Sequence, residues 1–63
     1  MDVRKFIAGG KFSEYQHFVI MTRDRCGMIP MGGGYPQDIV RRFGDEKIIH
    51  VSIYENIVRV EVN

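Results

Sequence analysis

From Lys47 to Val62 apolar and polar residues alternate so regularly that a β-hairpin can be written out residue by residue. With Glu55 and Asn56 as a two-residue loop, the cross-strand partners are Tyr54 with Ile57, Ile53 with Val58, Ser52 with Arg59, Val51 with Val60, His50 with Glu61 and Ile49 with Val62. Side chains on a strand point alternately to opposite faces, so this register gathers Ile49, Val51, Ile53, Val58, Val60 and Val62 on one apolar face. His50, Ser52, Tyr54, Ile57, Arg59 and Glu61 take the other. A slip of one residue mixes the two sets, which makes the register well specified.

An apolar face of this kind needs a cover, and Pro36 to Phe43 predicts a short helix able to supply one. Proline is tolerated in a first turn, Asp38 stands near the positive end of the helix dipole, and Arg41 and Arg42 stand near its negative end. Gly44 is expected as a left-handed cap, followed by Asp45-Glu46-Lys47 as the connecting turn. Ile39, Val40 and Phe43 share one side of this helix and are expected to roof the C-terminal hairpin, leaving Gln37, Arg41 and Arg42 in water.

Upstream the signals are shorter. Val3 to Ala8 is an apolar, β-compatible run ending at Gly9-Gly10, a dipeptide suited to a tight turn. Tyr15 to Thr22, rich in aromatic and β-branched residues, reads as a second strand. The rival reading is a helix capped by Ser13, with Gln16 completing a capping box. Arg23 to Gly34, holding Gly27, Pro30 and Gly32-Gly33-Gly34, reads as a long loop and hence as a segment suited to a partner. The expected fold is α+β: a four-stranded antiparallel sheet in the order β-β-α-β-β, with one short helix packed on one face.

At 63 residues, with no repeat or linker, the chain is expected to form a single small domain over residues 1–63. A domain of this size buries only about 60% of the surface its unfolded chain exposes. Such domains usually gain extra stability from disulfides, a metal, association or very regular packing. The one cysteine, Cys26, cannot form an internal disulfide, so a homodimer is expected. A single thiol suits a reducing compartment. No signal-like apolar run follows the charged N-terminus and no membrane-spanning stretch occurs, so the chain is read as cytoplasmic, with no membrane partner.

Nine Lys and Arg against eight Asp and Glu leave a net charge of +1, which weighs against a dedicated nucleic-acid binder. The alternative reading nonetheless is a small nucleic-acid-binding domain using Arg23, Arg25, Arg41 and Arg42, with aromatic residues for stacking. Gly32-Gly33-Gly34-Tyr35-Pro36 ahead of a helix has the outline of an anion site, but it lacks the Gly-Lys-Ser/Thr of a P-loop and the GxGxxG spacing. Cys26, Met28 and Met31 bring three soft sulfur atoms together, as Cu(I) would require. Methionine is more often an adaptable filler, and no repeated metal motif is present. His17 and His50 are the only imidazoles, and a domain this small can hardly enclose a pocket where nucleophile, base and orienting acid converge. No enzyme activity, cofactor or metal is therefore expected.

The remaining feature is a pair of large side chains where water is expected: Tyr54 beside Ile57 on the polar face of the hairpin. Aromatic anchors on rigid elements are common at protein interfaces. The leading expectation is a non-enzymatic interaction module, a regulator or inhibitor that covers part of a larger protein. Its partner-binding residues are taken as Tyr54, Ile57, Arg25, Met28, Met31 and Tyr35. Compact chains of this kind are frequent among phage and mobile-element products, a parallel drawn from size alone.

Overall fold

A computed structural model describes residues Met1–Asn63 as an α+β fold with two short helices and one four-stranded mixed sheet. In chain order the elements are α1 (Val3–Gly9), β1 (His17–Asp24), β2 (Gly27–Gly34), α2 (Pro36–Phe43), β3 (Ile48–Tyr54) and β4 (Ile57–Val62). The strands lie in the order β2-β1-β4-β3. Each outer pair is an antiparallel hairpin, and the two hairpins join through a parallel β1–β4 pair at the centre. Neither helix is long and apolar enough to cross a membrane.

The C-terminal hairpin follows the expected register for Tyr54–Ile57, Ile53–Val58, Ser52–Arg59, Val51–Val60 and His50–Glu61. The last pair differs. A bulge shifts the register between Ile48 and His50, so Ile48 rather than Ile49 faces Val62, and Ile49 is left exposed. Such an extra residue lets a strand twist and end its pairing. Glu55 turns the hairpin at φ 50°, in the left-handed region that a side chain with a Cβ enters only at a cost.

The first departure from expectation is at the N-terminus. Val3 to Ala8 forms most of α1, not a strand, because Asp2 caps it: its carboxylate accepts the Lys5 N–H at 2.8 Å. That backbone hydrogen bond lowers the Asp2 pKa, with smaller contributions from Lys5, Lys47 and Arg4. Val3, Phe6 and Ile7 stand at helical spacing and turn toward the core. Phe12 continues the line, its ring 5.4 Å from Phe6 and 5.0 Å from Phe18.

The second departure is Arg23 to Gly34, which continues β1 and returns as β2 after a turn at Arg25-Cys26. One proline and four glycines hide a strand from propensity rules. They are tolerated because β2 is an edge strand, with a bulge that leaves Met31 out of the pairing with β1. The sheet is mixed because β1 pairs in parallel with β4, and the order is α-β-β-α-β-β rather than β-β-α-β-β.

The third departure concerns the roof. Helix α2 has its expected boundaries, but it lies over β1 and β2 and against α1, not over the C-terminal hairpin. Phe43 reaches Gly32, where an added Cβ would sit 3.1 Å from its ring. Gly44 is right-handed at φ −56°, so it is no left-handed cap. Glycine suits this position because a Cβ would run into the Val40 carbonyl oxygen and the Arg4 guanidinium. The Gly44 carbonyl also accepts from Arg4 N at 2.9 Å, tying the start of α1 to the end of α2.

Val3, Phe18, Ile20, Ile39, Val58, Val60 and Val62 form the core between the helices and one face of the sheet. Ile53 points to the same face but is 70% exposed, because it lies near the tip of β3, the outer strand, whereas the buried valines of that hairpin lie on the inner strand β4.

Candidate functional site

Both helices lie on one side of the sheet, so the opposite face is bare, and the strand registers map it row by row. His17, Ile57 and Tyr54 form one row; Gly33, Val19, Arg59 and Ser52 the next; Pro30, Met21, Glu61 and His50 a third; Met28 and Arg23 close the β2–β1 end. The face mixes aromatic, aliphatic and polar groups, as interface cores do.

The row at His17 is its most aromatic part. His17 sits edge-on to Tyr35, the residue preceding α2, with ring centroids 6.2 Å apart, and Tyr35 meets Tyr15 at 6.0 Å. Tyr15, Tyr35, His17, Ile57 and Tyr54 thus make a line from the loop before β1 across to β3. Gln16 fixes the middle of this line by donating through its side-chain amide to the Asn56 carbonyl. Beside Tyr15 and Tyr35 opens a groove of about 450 Å³, floored by Ile7, Phe12 and Pro36 and edged by Glu14 and Asp38. Its lining holds no serine, cysteine, histidine or lysine.

At the middle of the bare face lies a hollow of about 100 Å³, among Met21, Met28, His50, Ser52, Arg59 and Glu61. Met21 is 7% exposed and Glu61 8%, although no helix covers either. Neighbouring side chains on the strands bury them. Arg23 Nε donates to Glu61 Oε2 at 3.4 Å, while Arg59 on the same face enters no ion pair.

Of the six residues expected to contact a partner, Tyr54, Ile57 and Tyr35 are brought into one line through His17. Met28 lies on the same face beside Arg23, at its far end. Arg25 stands in the β1–β2 turn, and Met31 bulges from β2, an outer strand of the sheet. Arg59 and Glu61 were expected on the outer face of the hairpin; His17 and Met21 were not anticipated as part of that surface. Their alternation with Phe18 and Ile20 was present in the chain, but only the β1–β4 pairing joins them to the hairpin face.

The four arginines of the nucleic-acid reading lie apart. Arg23 is held by Glu61 and Arg25 is on the adjoining turn, whereas Arg41 and Arg42 are on α2 across the sheet. Arg41 bonds Asp38 at 2.9 Å, and Arg42 lies 4.9 Å above the Phe43 ring. Gly32-Gly33-Gly34, expected as a loop, is part of β2, and the Cβ of any residue replacing Gly33 would press on the Phe18 carbonyl. Compared with protein-family models, with curated proteins and with solved structures, the chain matches none of them.

Proposed function

We propose that this chain is a non-enzymatic interaction module that binds a larger protein with the bare face of its sheet. One observation carries the reading: the line Tyr35, His17, Ile57, Tyr54 crosses a face that neither helix covers. Aromatic side chains on a rigid sheet supply contact area at little cost in ordering, which is why interfaces favour them. Their setting among Ser52, Arg59 and His50 supports recognition of a protein surface of mixed polarity. The non-enzymatic part of the reading rests on the small size of the hollow and on the lining of the groove. The hollow at Glu61 is far below the ~300 Å³ at which pockets begin to enclose a substrate. In the larger groove one of the two carboxylates, Asp38, is already engaged by Arg41.

The test is affinity capture from cell lysate with wild-type chain, a Tyr54→Ala variant and an Ile57→Asp variant, with a Lys11→Ala control on another surface. The reading expects one protein retained in stoichiometric amount by the wild type and the control, and lost with both face variants. Absence of such a protein, or retention indifferent to Tyr54 and Ile57, would sink it.

One observation favours nucleic acid as a second reading: Arg59, without a carboxylate partner, shares the face with His17 and Tyr54, two rings able to stack on bases. Retention on oligonucleotides at about 50 mM salt, falling steeply as salt rises and lost with Arg59→Ala, would support it. No retention at that salt removes it.

A further inference from the structure

The two edges of the sheet are unlike. On β2, Pro30 lacks an N–H, Met31 bulges, and Gly32 to Gly34 carry no side chains, all features that discourage a strand from pairing there. β3 has no proline or glycine, and its one bulge lies at its start, at Ile49. Ile48–Tyr54 contains no Asp, Glu, Lys, Arg, Pro or Gly, and it carries three strongly exposed apolar side chains, Ile49, Ile53 and Tyr54.

The free backbone groups of β3 follow from its register. The pair flanking a two-residue hairpin loop exchanges hydrogen bonds, so Tyr54, Ser52 and His50 turn their N–H and C=O groups toward β4. Val51 and Ile53 turn theirs to the open edge.

We infer that β3 is the edge at which two copies of this chain join, antiparallel, about a two-fold axis at Ser52. In that register Val51 exchanges hydrogen bonds with Ile53 of the second copy, Ser52 meets Ser52, and His50 meets Tyr54. Every pair then matches across the axis. Val51 and Ile53 from both copies form an aliphatic patch on the helix side, where Ile53 has no cover of its own. His50, Ser52 and Tyr54 continue the bare face from one copy to the next. The strand's lack of formal charge means that the two-fold brings no like charges together, which is what selects a second copy over a charged foreign strand. The bulge at Ile49 ends the ladder on one side and the turn at Glu55 ends it on the other. The inference goes beyond the proposed function: it uses the edge and leaves the row at His17 and Tyr35 open.

A five-residue strand pair falls at the small end of specific interfaces, so the dimer belongs at high protein concentration. Light scattering on a sizing column at about 0.5 mM protein should return twice the 7.3 kDa chain mass. Ile53→Lys, at an exposed position, should return the single mass with an unchanged circular dichroism spectrum, while Met31→Lys on the β2 edge keeps the double mass. The register has its own readout. Ser52 lies in a non-hydrogen-bonded pair across the axis, with Cα atoms ~4.5 Å apart, within the range a disulfide spans. In a Cys26→Ser background, Ser52→Cys should oxidise to a covalent dimer in high yield and Ile53→Cys in much lower yield. A single mass for the wild type, a double mass for Ile53→Lys, or equal yields from the two cysteine variants would overturn the inference.

Discussion

Arg23 donates to Glu61 at 3.4 Å, and this contact ties the far end of β1 to the last strand on the bare face of the sheet. Its two ends are differently solvated: the Arg23 side chain is 64% exposed, whereas Glu61 is held among Met21, His50 and Arg59. Screening makes the attraction itself modest, but removing the arginine leaves a carboxylate with little water to replace it. Arg23→Ala is therefore expected to lower stability by about 1 kcal/mol, and Arg23→Lys by less. Urea unfolding midpoints measure both. An unchanged midpoint for Arg23→Ala would assign the support of Glu61 to Arg59.

Ile20 and Ile53 are the same residue type on the same side of the sheet, yet the first is fully buried and the second mostly exposed. Ile20→Ala removes packing from the middle of the core and is expected to cost about 3 kcal/mol, most of what so small a domain has to spare. In dilute protein Ile53→Ala should stay within about 0.5 kcal/mol of wild type. Chemical denaturation compares the two directly, and similar losses would mean that a helix reaches over β3 after all.

That contrast marks the boundary of what could be read in the chain. The helix at Pro36–Phe43 and five of the hairpin pairs rest on local signals, proline in the first turn and strict alternation, and both formed as expected. The two elements that differed each had a competing signal. Val3, Phe6 and Ile7 carry helical spacing behind a capping Asp2, but the run is short enough to pass for a strand. Gly27–Gly34 is a strand only because β1 supplies its partner and an edge position forgives its proline. The parallel β1–β4 pair has no local signal at all, being set by how the two hairpins, joined through α2, come side by side. The interaction surface inherits this limit. Tyr54, Ile57 and Arg59 were visible from one hairpin, whereas His17 and Met21 join them only through that central pairing.

Asp2 gives a stability term whose pH dependence has a definite sign. Its pKa is lowered in the folded chain, first by the hydrogen bond from Lys5 N–H. The unfolded chain therefore takes up a proton before the folded one, and the stabilisation is fully present above the unfolded value of 3.8. It is lost as pH falls through the lower folded value. Asp2→Asn keeps a side chain able to cap the helix but removes the titration. Thermal melts of the two proteins should run parallel above pH 5 and converge below about pH 3.8, where the wild type loses its advantage. Parallel curves throughout the acid range would show that the cap contributes nothing through its charge.

Glu55 occupies a left-handed position at the tip of the second hairpin, and nothing in its side chain requires it there. Glycine and asparagine enter that region at lower cost. Glu55→Gly and Glu55→Asn are each expected to raise stability by about 0.5 kcal/mol, the relief being partly offset for glycine by its freer unfolded chain. Glu55→Val, which stiffens the backbone in the wrong basin, should lower it by about 1 kcal/mol. Melting temperatures that rank the valine variant first would refute this account of the turn.

Because the sheet's two middle strands are the first and the last to be made, nascent chain emerging from a ribosome holds a hairpin and two helices with no closed interior to settle on. Val58, Val60 and Val62, on the last strand of the sheet to emerge, slot between β1 and β3. Closure of the sheet thus waits on β4, and a chain interrupted before Ile57 would keep its local hairpin and helices without the strand that joins β1 to β3.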